Sequence, residues 1–176
     1  ENTYKGYKYD SIDPKGTTAG QTVADGTVIT LNYVRDDNQT KTAKYTVQHK
    51  VGGTVQGEPT VVEQEIWVNA DELEITENSI KKNNYDGYKF KSFSVDPEGA
   101  IELENIKPGK MIKDGATITL NYEKVKTVSY TVQHKVGGTV QDNPTVVEKE
   151  IWDDAEASLE VTADSIKENT YKGYKY

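Results

Sequence analysis

YTVQHKVGGTVQ occupies residues 45–56 and recurs unchanged at residues 130–141. Within it Tyr45, Val47, His49 and Val51 alternate with Thr46, Gln48 and Lys50, the period of two that a strand shows when one face is buried. Moving outward from residue 45 to residue 130, the offset of 85 holds downstream: PTVVEQEIW (59–67) matches PTVVEKEIW (144–152). After a one-residue insertion, ELEITENSIKKNNYDGYKF (72–90) matches SLEVTADSIKENTYKGYKY (158–176). Upstream, DPKG followed by ADGTVITLNY (24–33) matches DPEG followed by KDGATITLNY (113–122), with an insert near IELENIKPG in the second version.

One repeat therefore spans residues 45–123. Residues 1–34 read as the C-terminal part of one repeat and residues 129–176 as the N-terminal part of a further one. A period of about 80 residues exceeds that of most helical solenoids and suits a string of small domains, each with its own core. In the complete repeat a Gly52-Gly53 turn and a Gly57-Glu58-Pro59 loop precede a second strand, TVVEQEIWV. TENSIKKNN follows as one helical turn, with Asn78 or Ser79 as its cap. YDGYKFKSFSV reads as a third strand, and Asp114-Gly115 turns the chain into a last strand whose Ile118, Leu120 and Tyr122 face inward.

With 21 basic and 29 acidic side chains the net charge is -8, which opposes binding to nucleic acid or an anionic membrane surface. No stretch reaches the roughly 20 apolar residues of a membrane span. The absence of cysteine leaves stability to packing, and 12 Tyr with many Thr and Val favour half-buried strands.

An opening Tyr45-x-Val47 strand, a central Gly87-Tyr88 and a closing Asp114-Gly115 strand with Leu120 and Tyr122 resemble the mucin-binding-protein (MucBP) repeats of Gram-positive surface proteins. HKVGGTVQ stands where that family has an Asp-x-x-Gly turn, so a sister family of surface repeats is the other possibility. The resemblance covers the whole chain. It implies a strand-dominated α+β fold of tandem β-grasp (ubiquitin-like) domains in a secreted, wall-attached protein at the bacterial cell surface.

His49 and His134 share the face of Tyr and Val, with no nucleophile or metal-ligand spacing around them, so they read as structural wall residues. Trp67 and Trp152 are the residues of most interest. Trp67 shares its face with Glu63 and Glu65, and two roles are open to this group: stacking on a sugar whose hydroxyls the acids accept, or covering a domain junction. Tyr171, Gly173 and Lys175 alternate with Lys172, Tyr174 and Tyr176 as a strand with a bulge. Lys50 with Asn121 is the pair that could offer an isopeptide crosslink, but an outward-facing lysine lacks the burial this reaction needs. Asp36-Asp37 and Asp153-Asp154 with Glu156 lack the spacing of a calcium loop. No cofactor, metal or catalytic residue is expected.

The function expected is a structural spacer in a fibre, stalk or adhesin; the alternative is a module binding host mucin or glycan through exposed aromatics. Two joining segments, VRDDNQTKTAK (34–44) and EKVKTVS (123–129), contain neither Gly nor Pro, and the shorter should be the stiffer. ENTYKGYKY at both 1–9 and 168–176 suggests a superperiod of two non-identical repeats, whose halves are completed by a parent chain or by neighbouring chains head to tail.

Overall fold

The computed structural model describes residues 2–176 as nine strands. They are β1 (Tyr7–Asp13), β2 (Thr30–Arg35), β3 (Thr40–Val51), β4 (Thr54–Trp67), β5 (Glu72–Glu74), β6 (Tyr88–Asp96), β7 (Met111–Lys113), β8 (Thr117–Val136) and β9 (Thr139–Trp152). β1 and β2 form an antiparallel pair, as do β5 and β7. A five-stranded sheet has the order β4-β3-β8-β6, with β9 pairing β8 as well.

β3 follows the alternation of its residues, with Ala43, Tyr45 and Val47 buried between exposed Thr42 and Lys44 and half-buried Thr46. The Thr46 N–H donates to the Ala116 carbonyl at 2.8 Å and the Gly52 N–H to the Tyr122 carbonyl at 3.0 Å. Because both partners advance together, β3 and β8 run parallel. On β8, Ile118 and Leu120 are fully buried and Tyr122 nearly so. Every buried hydrophobic side chain among the described residues falls between Ala43 and Tyr122.

The expectation of an α+β, β-grasp arrangement is not met. The fold is strand-dominated with mixed sheets, and among the described residues it contains no α-helix. TENSIKKNN forms only a 3-10 turn over Glu77–Ile80, with no side-chain cap at Thr76. The Ser79 hydroxyl donates back to the Thr76 carbonyl at 2.7 Å instead of capping. Asn83 and Asn84 follow at once, so the segment cannot extend far enough to offset the cost of helix nucleation. A second 3-10 turn spans Leu103–Asn105.

Two further details differ from the sequence reading. β4 runs straight through Gly57-Glu58-Pro59. In β9 the matching Asp142-Asn143-Pro144 faces Gln133 alone, a bulge whose first residue has φ 57, and Gly57 has φ 68. The Tyr-x-Gly-Tyr stretches are turns: the N–H groups of Tyr7, Tyr88 and Tyr174 each donate to the carbonyl three residues back at 3.0 Å. Gly6, Gly87 and Gly173 supply the positive φ those turns need.

The chain divides into two compact units, Glu1–Gln48 with Gly57–Lys81 and Phe93–Thr119, and His49–Gln56 with Lys82–Ser92 and Leu120–Tyr176. No helix of the described residues is long and apolar enough to cross a membrane.

Candidate functional site

Each unit contains one of the two joining segments with its tryptophan. In the first unit β2 ends at Arg35, and Asp36–Gln39 makes a turn before β3. Asp36 organises that turn by accepting from the Asn38 N–H at 3.2 Å and from the Gln39 amide at 3.2 Å. The Gln39 side chain and the Asn38 backbone hold the Asp36 carboxyl below the ordinary aspartate value of 3.8. Gln39 also accepts from the Gly6 N–H at 2.8 Å, and the Gly6 carbonyl accepts from the Asp36 N–H at 2.8 Å.

Trp67, at the end of β4, closes over this turn. Its indole N–H donates to the Gly6 carbonyl at 3.1 Å. Its ring meets the edge of Tyr7 at 5.6 Å and carries the Arg35 guanidinium 4.6 Å from its centroid. Asn69 donates to the Lys5 carbonyl at 2.8 Å. The approach is close enough that a Cβ on Gly6 would stand 2.5 Å from the Asn69 amide nitrogen and 3.0 Å from Trp67 Cζ2. The glutamates expected beside Trp67 are directed elsewhere: Glu65 accepts from the Thr42 hydroxyl at 2.5 Å, which lowers its pKa, and Glu63 is exposed.

In the second unit the joining segment is four residues shorter, since Tyr122 precedes Tyr130 by eight residues where Tyr33 precedes Tyr45 by twelve. No turn fits into it. β8 passes unbroken from Thr117 to Val136, and β9 pairs with it from Val136↔Thr139 back to Val125↔Trp152. The Val125 N–H donates to the Gly87 carbonyl at 2.9 Å, the counterpart of the Asp36 to Gly6 bond. Trp152 is placed differently from Trp67. Its ring faces the Lys91 ammonium at 5.3 Å, and the space around Gly87 is open where Gly6 is closely approached by Trp67. A shallow cavity of about 390 Å³ lies there, lined by Lys89, Val125, Glu150, Ile151, Trp152 and Ala155. Ion pairs of Lys89 with Glu150 and of Lys91 with Glu123 flank it, and the Glu123 bond raises the Lys91 pKa.

The histidines stand at matching places. His49 stacks on Tyr122 at 5.5 Å and meets Tyr85 at 6.0 Å; its Nδ1 is buried without a hydrogen-bond partner, and burial pushes its pKa below 6.5. His134 lies 6.1 Å from Tyr171. Lys50 is exposed and Asn121 half-buried. Asp153 uses its backbone in the joint: its N–H donates to the Lys124 carbonyl at 2.9 Å, and its carbonyl accepts from the Lys126 ammonium at 2.6 Å. Among the described residues no group of three His, Cys, Asp or Glu side chains is placed to hold a metal ion.

Sequence reasoning singled out Trp67 but missed Gly6, Arg35, Asp36, Gln39 and Asn69. A signal for part of this was present, because Asp and Asn at the head of DDNQ favour a turn. No family model matches this chain, and no curated protein and no solved structure matches it.

Proposed function

We propose that the chain is a run of structural spacer repeats in an extracellular fibre or stalk of a bacterial surface protein. The observation that carries this reading is that both joining segments are built rather than loose. One is closed by Trp67 over the Gly6–Asp36–Gln39 turn, and the other is a strand that does not stop between repeats. A flexible linker would hold neither an indole bond to backbone nor the eight consecutive ladder residues from Val125 to Val132. The resemblance of the repeat skeleton to mucin-binding-protein repeats points to the same setting.

A second reading is favoured by Trp152 alone. Its ring lines the cavity of about 390 Å³ together with an ammonium and a carboxylate, a chemistry that accommodates a sugar face and its hydroxyls. Titration of mucin glycopeptides and neutral oligosaccharides into the wild-type chain and into Trp152→Ala separates the two readings. A spacer gives no saturable signal from either protein. Saturable wild-type binding that Trp152→Ala loses, with the fold intact, would make the chain an adhesin module.

A further inference from the structure

Asp-Gly pairs stand at 25–26, 86–87 and 114–115, and the complete repeat holds the last two. The chemistry open to such a pair is intramolecular. The backbone nitrogen of the glycine can attack Cγ of the aspartate before it, and glycine leaves that nitrogen accessible because it has no Cβ to screen it. Whether the reaction runs depends on how the fold holds the carboxyl and the nitrogen. The two pairs of the complete repeat are held in opposite ways.

Asp114-Gly115 is tied at both reacting groups. The Asp114 carboxylate accepts from the Lys44 N–H at 2.9 Å and faces the Lys41 ammonium at 3.6 Å. The Gly115 N–H, which would have to attack, donates to the Lys44 carbonyl at 2.7 Å. Asp86-Gly87 is instead the tip of the Tyr85–Tyr88 turn. Both residues are exposed, Gly87 has φ 73, and nothing stands within 4 Å of a Cβ built there. The turn is nonetheless connected on both sides. Tyr85 packs edge-on against Tyr122 at 4.8 Å, the Tyr88 N–H closes the turn on the Tyr85 carbonyl at 3.0 Å, and the Gly87 carbonyl accepts from the Val125 N–H at 2.9 Å in the second joint. The two other turns of this kind carry Lys5-Gly6 and Lys172-Gly173, so of the three only this one holds a carboxyl next to its glycine.

We propose that Asp86 is a site of self-modification, at which the chain converts an aspartyl into an isoaspartyl linkage and so loosens the joint at Val125. The Gly87 nitrogen forms a bond to Asp86 Cγ. The Cγ–OH bond of the protonated carboxyl breaks, and the hydroxyl leaves as water with the proton from the nitrogen, closing a five-membered succinimide. Water then adds at the former backbone carbonyl of Asp86, whose bond to nitrogen breaks. The chain now runs through Cγ, and the old backbone carbonyl has become a free carboxylate. One water leaves and one returns, so the step needs no oxidant, metal or cofactor. The product carries one extra backbone atom between Cα of residue 86 and Gly87. A four-residue turn cannot absorb that atom and keep both the Tyr88 to Tyr85 bond and the Val125 to Gly87 bond. The site does not depend on the spacer reading; it gives one joint a strength that falls with age.

The test is to age the full chain in warm neutral buffer for weeks, folded and in urea, and to locate isoaspartate by peptide mapping with electron-transfer fragmentation. In the folded chain it accumulates at residue 86 about tenfold faster than at residue 114, because attack at Asp114 must first break a hydrogen bond to a charged group. In urea the two positions react alike, since the contacts that hold Asp114 are gone. In the modified chain, separated by ion exchange, the Val125 amide exchanges at least about tenfold faster than in fresh chain. Asp86→Lys places here the residue that the other two turns carry with the same 3.0 Å closing bond; it forms no isoaspartate at this turn and keeps its Val125 exchange with age. Equal accumulation at residues 86 and 114 in the folded chain, an excess at 86 that persists undiminished in urea, or a Val125 amide indifferent to the modification overturns the proposal. Each of these results leaves the spacer reading to the glycan titration, whose outcome does not depend on Asp86.

Discussion

Trp67→Ala removes the side chain that closes the first joint, and its cost can be worked from the contacts. Half-burial of an indole keeps about 100 Å² of apolar ring from water, worth about 2.5 kcal/mol at about 25 cal/mol per Å². The indole N–H bond to Gly6 adds about 1 kcal/mol and the partly exposed Arg35 contact about 0.5 kcal/mol. The Gly6 carbonyl is not orphaned by the change because it still accepts from the Asp36 N–H. Relaxation of Tyr7 and Arg35 into the space recovers part of the loss, so the joint should weaken by about 2–4 kcal/mol. The amides of Gly6 and Asp36 report on the joint directly, since both bonds span it. Amide hydrogen exchange at these two positions should accelerate about 30- to 1000-fold. In Trp152→Ala the Val125 amide should change by less than about tenfold, because that joint is held by strand pairing and the space around Gly87 is open. Unchanged exchange at Gly6 and Asp36 in Trp67→Ala would refute the assignment of Trp67 to the joint.

Three other outcomes follow from the same contacts. The neutral His49 imidazole is favoured by burial, so the folded pKa lies below the unfolded 6.5; stability is full above that value and declines as pH falls from 6.5 toward the folded pKa. Protonation would also force an N–H onto the unpartnered Nδ1, and urea midpoints should show that His49→Gln removes its part of the slope. Gly6→Ala and Gly87→Ala both place a side chain at positive φ, but only the first drives a Cβ into Asn69 and Trp67, so its unfolding free energy should fall by about 1–2 kcal/mol more. Tyr45→Phe strips the Thr76 N–H of an acceptor at 3.0 Å in a part-buried site and should cost about 1–2 kcal/mol. Tyr130→Phe removes a 2.7 Å bond to Ser165, whose hydroxyl still donates to the Thr162 carbonyl, and a longer, exposed bond from the Thr162 N–H, and should cost less than about 1 kcal/mol.

The strands on either side of the middle core were legible in the sequence because their alternation is local and unbroken. Tyr45 and Val47 on β3, and Ile118, Leu120 and Tyr122 on β8, are buried as their spacing requires. The single turn in TENSIKKNN is present as the 3-10 turn Glu77–Ile80, but its cap was not legible, because Ser79 looks like a capping residue and only the fold shows its hydroxyl donating back to the Thr76 carbonyl. The Tyr-x-Gly-Tyr turns hid for a related reason. Tyrosine and lysine fit the strand period, and only the positive φ of Gly6, Gly87 and Gly173 decides that the chain reverses there. At the joints, Trp67 could be placed on a face from its parity. Its partners Gly6, Tyr7 and Arg35 lie 32 to 61 residues away in sequence, a separation that periodicity cannot bridge.

Backbone ¹⁵N relaxation across residues 123–129 tests the built-joint account most directly. A strand that runs on through the joint, paired from Val125↔Trp152 to Ser129↔Glu148, should give order parameters of about 0.85, level with the rest of β8. Values below about 0.6 confined to this segment would show a flexible tether between repeats and contradict the spacer account.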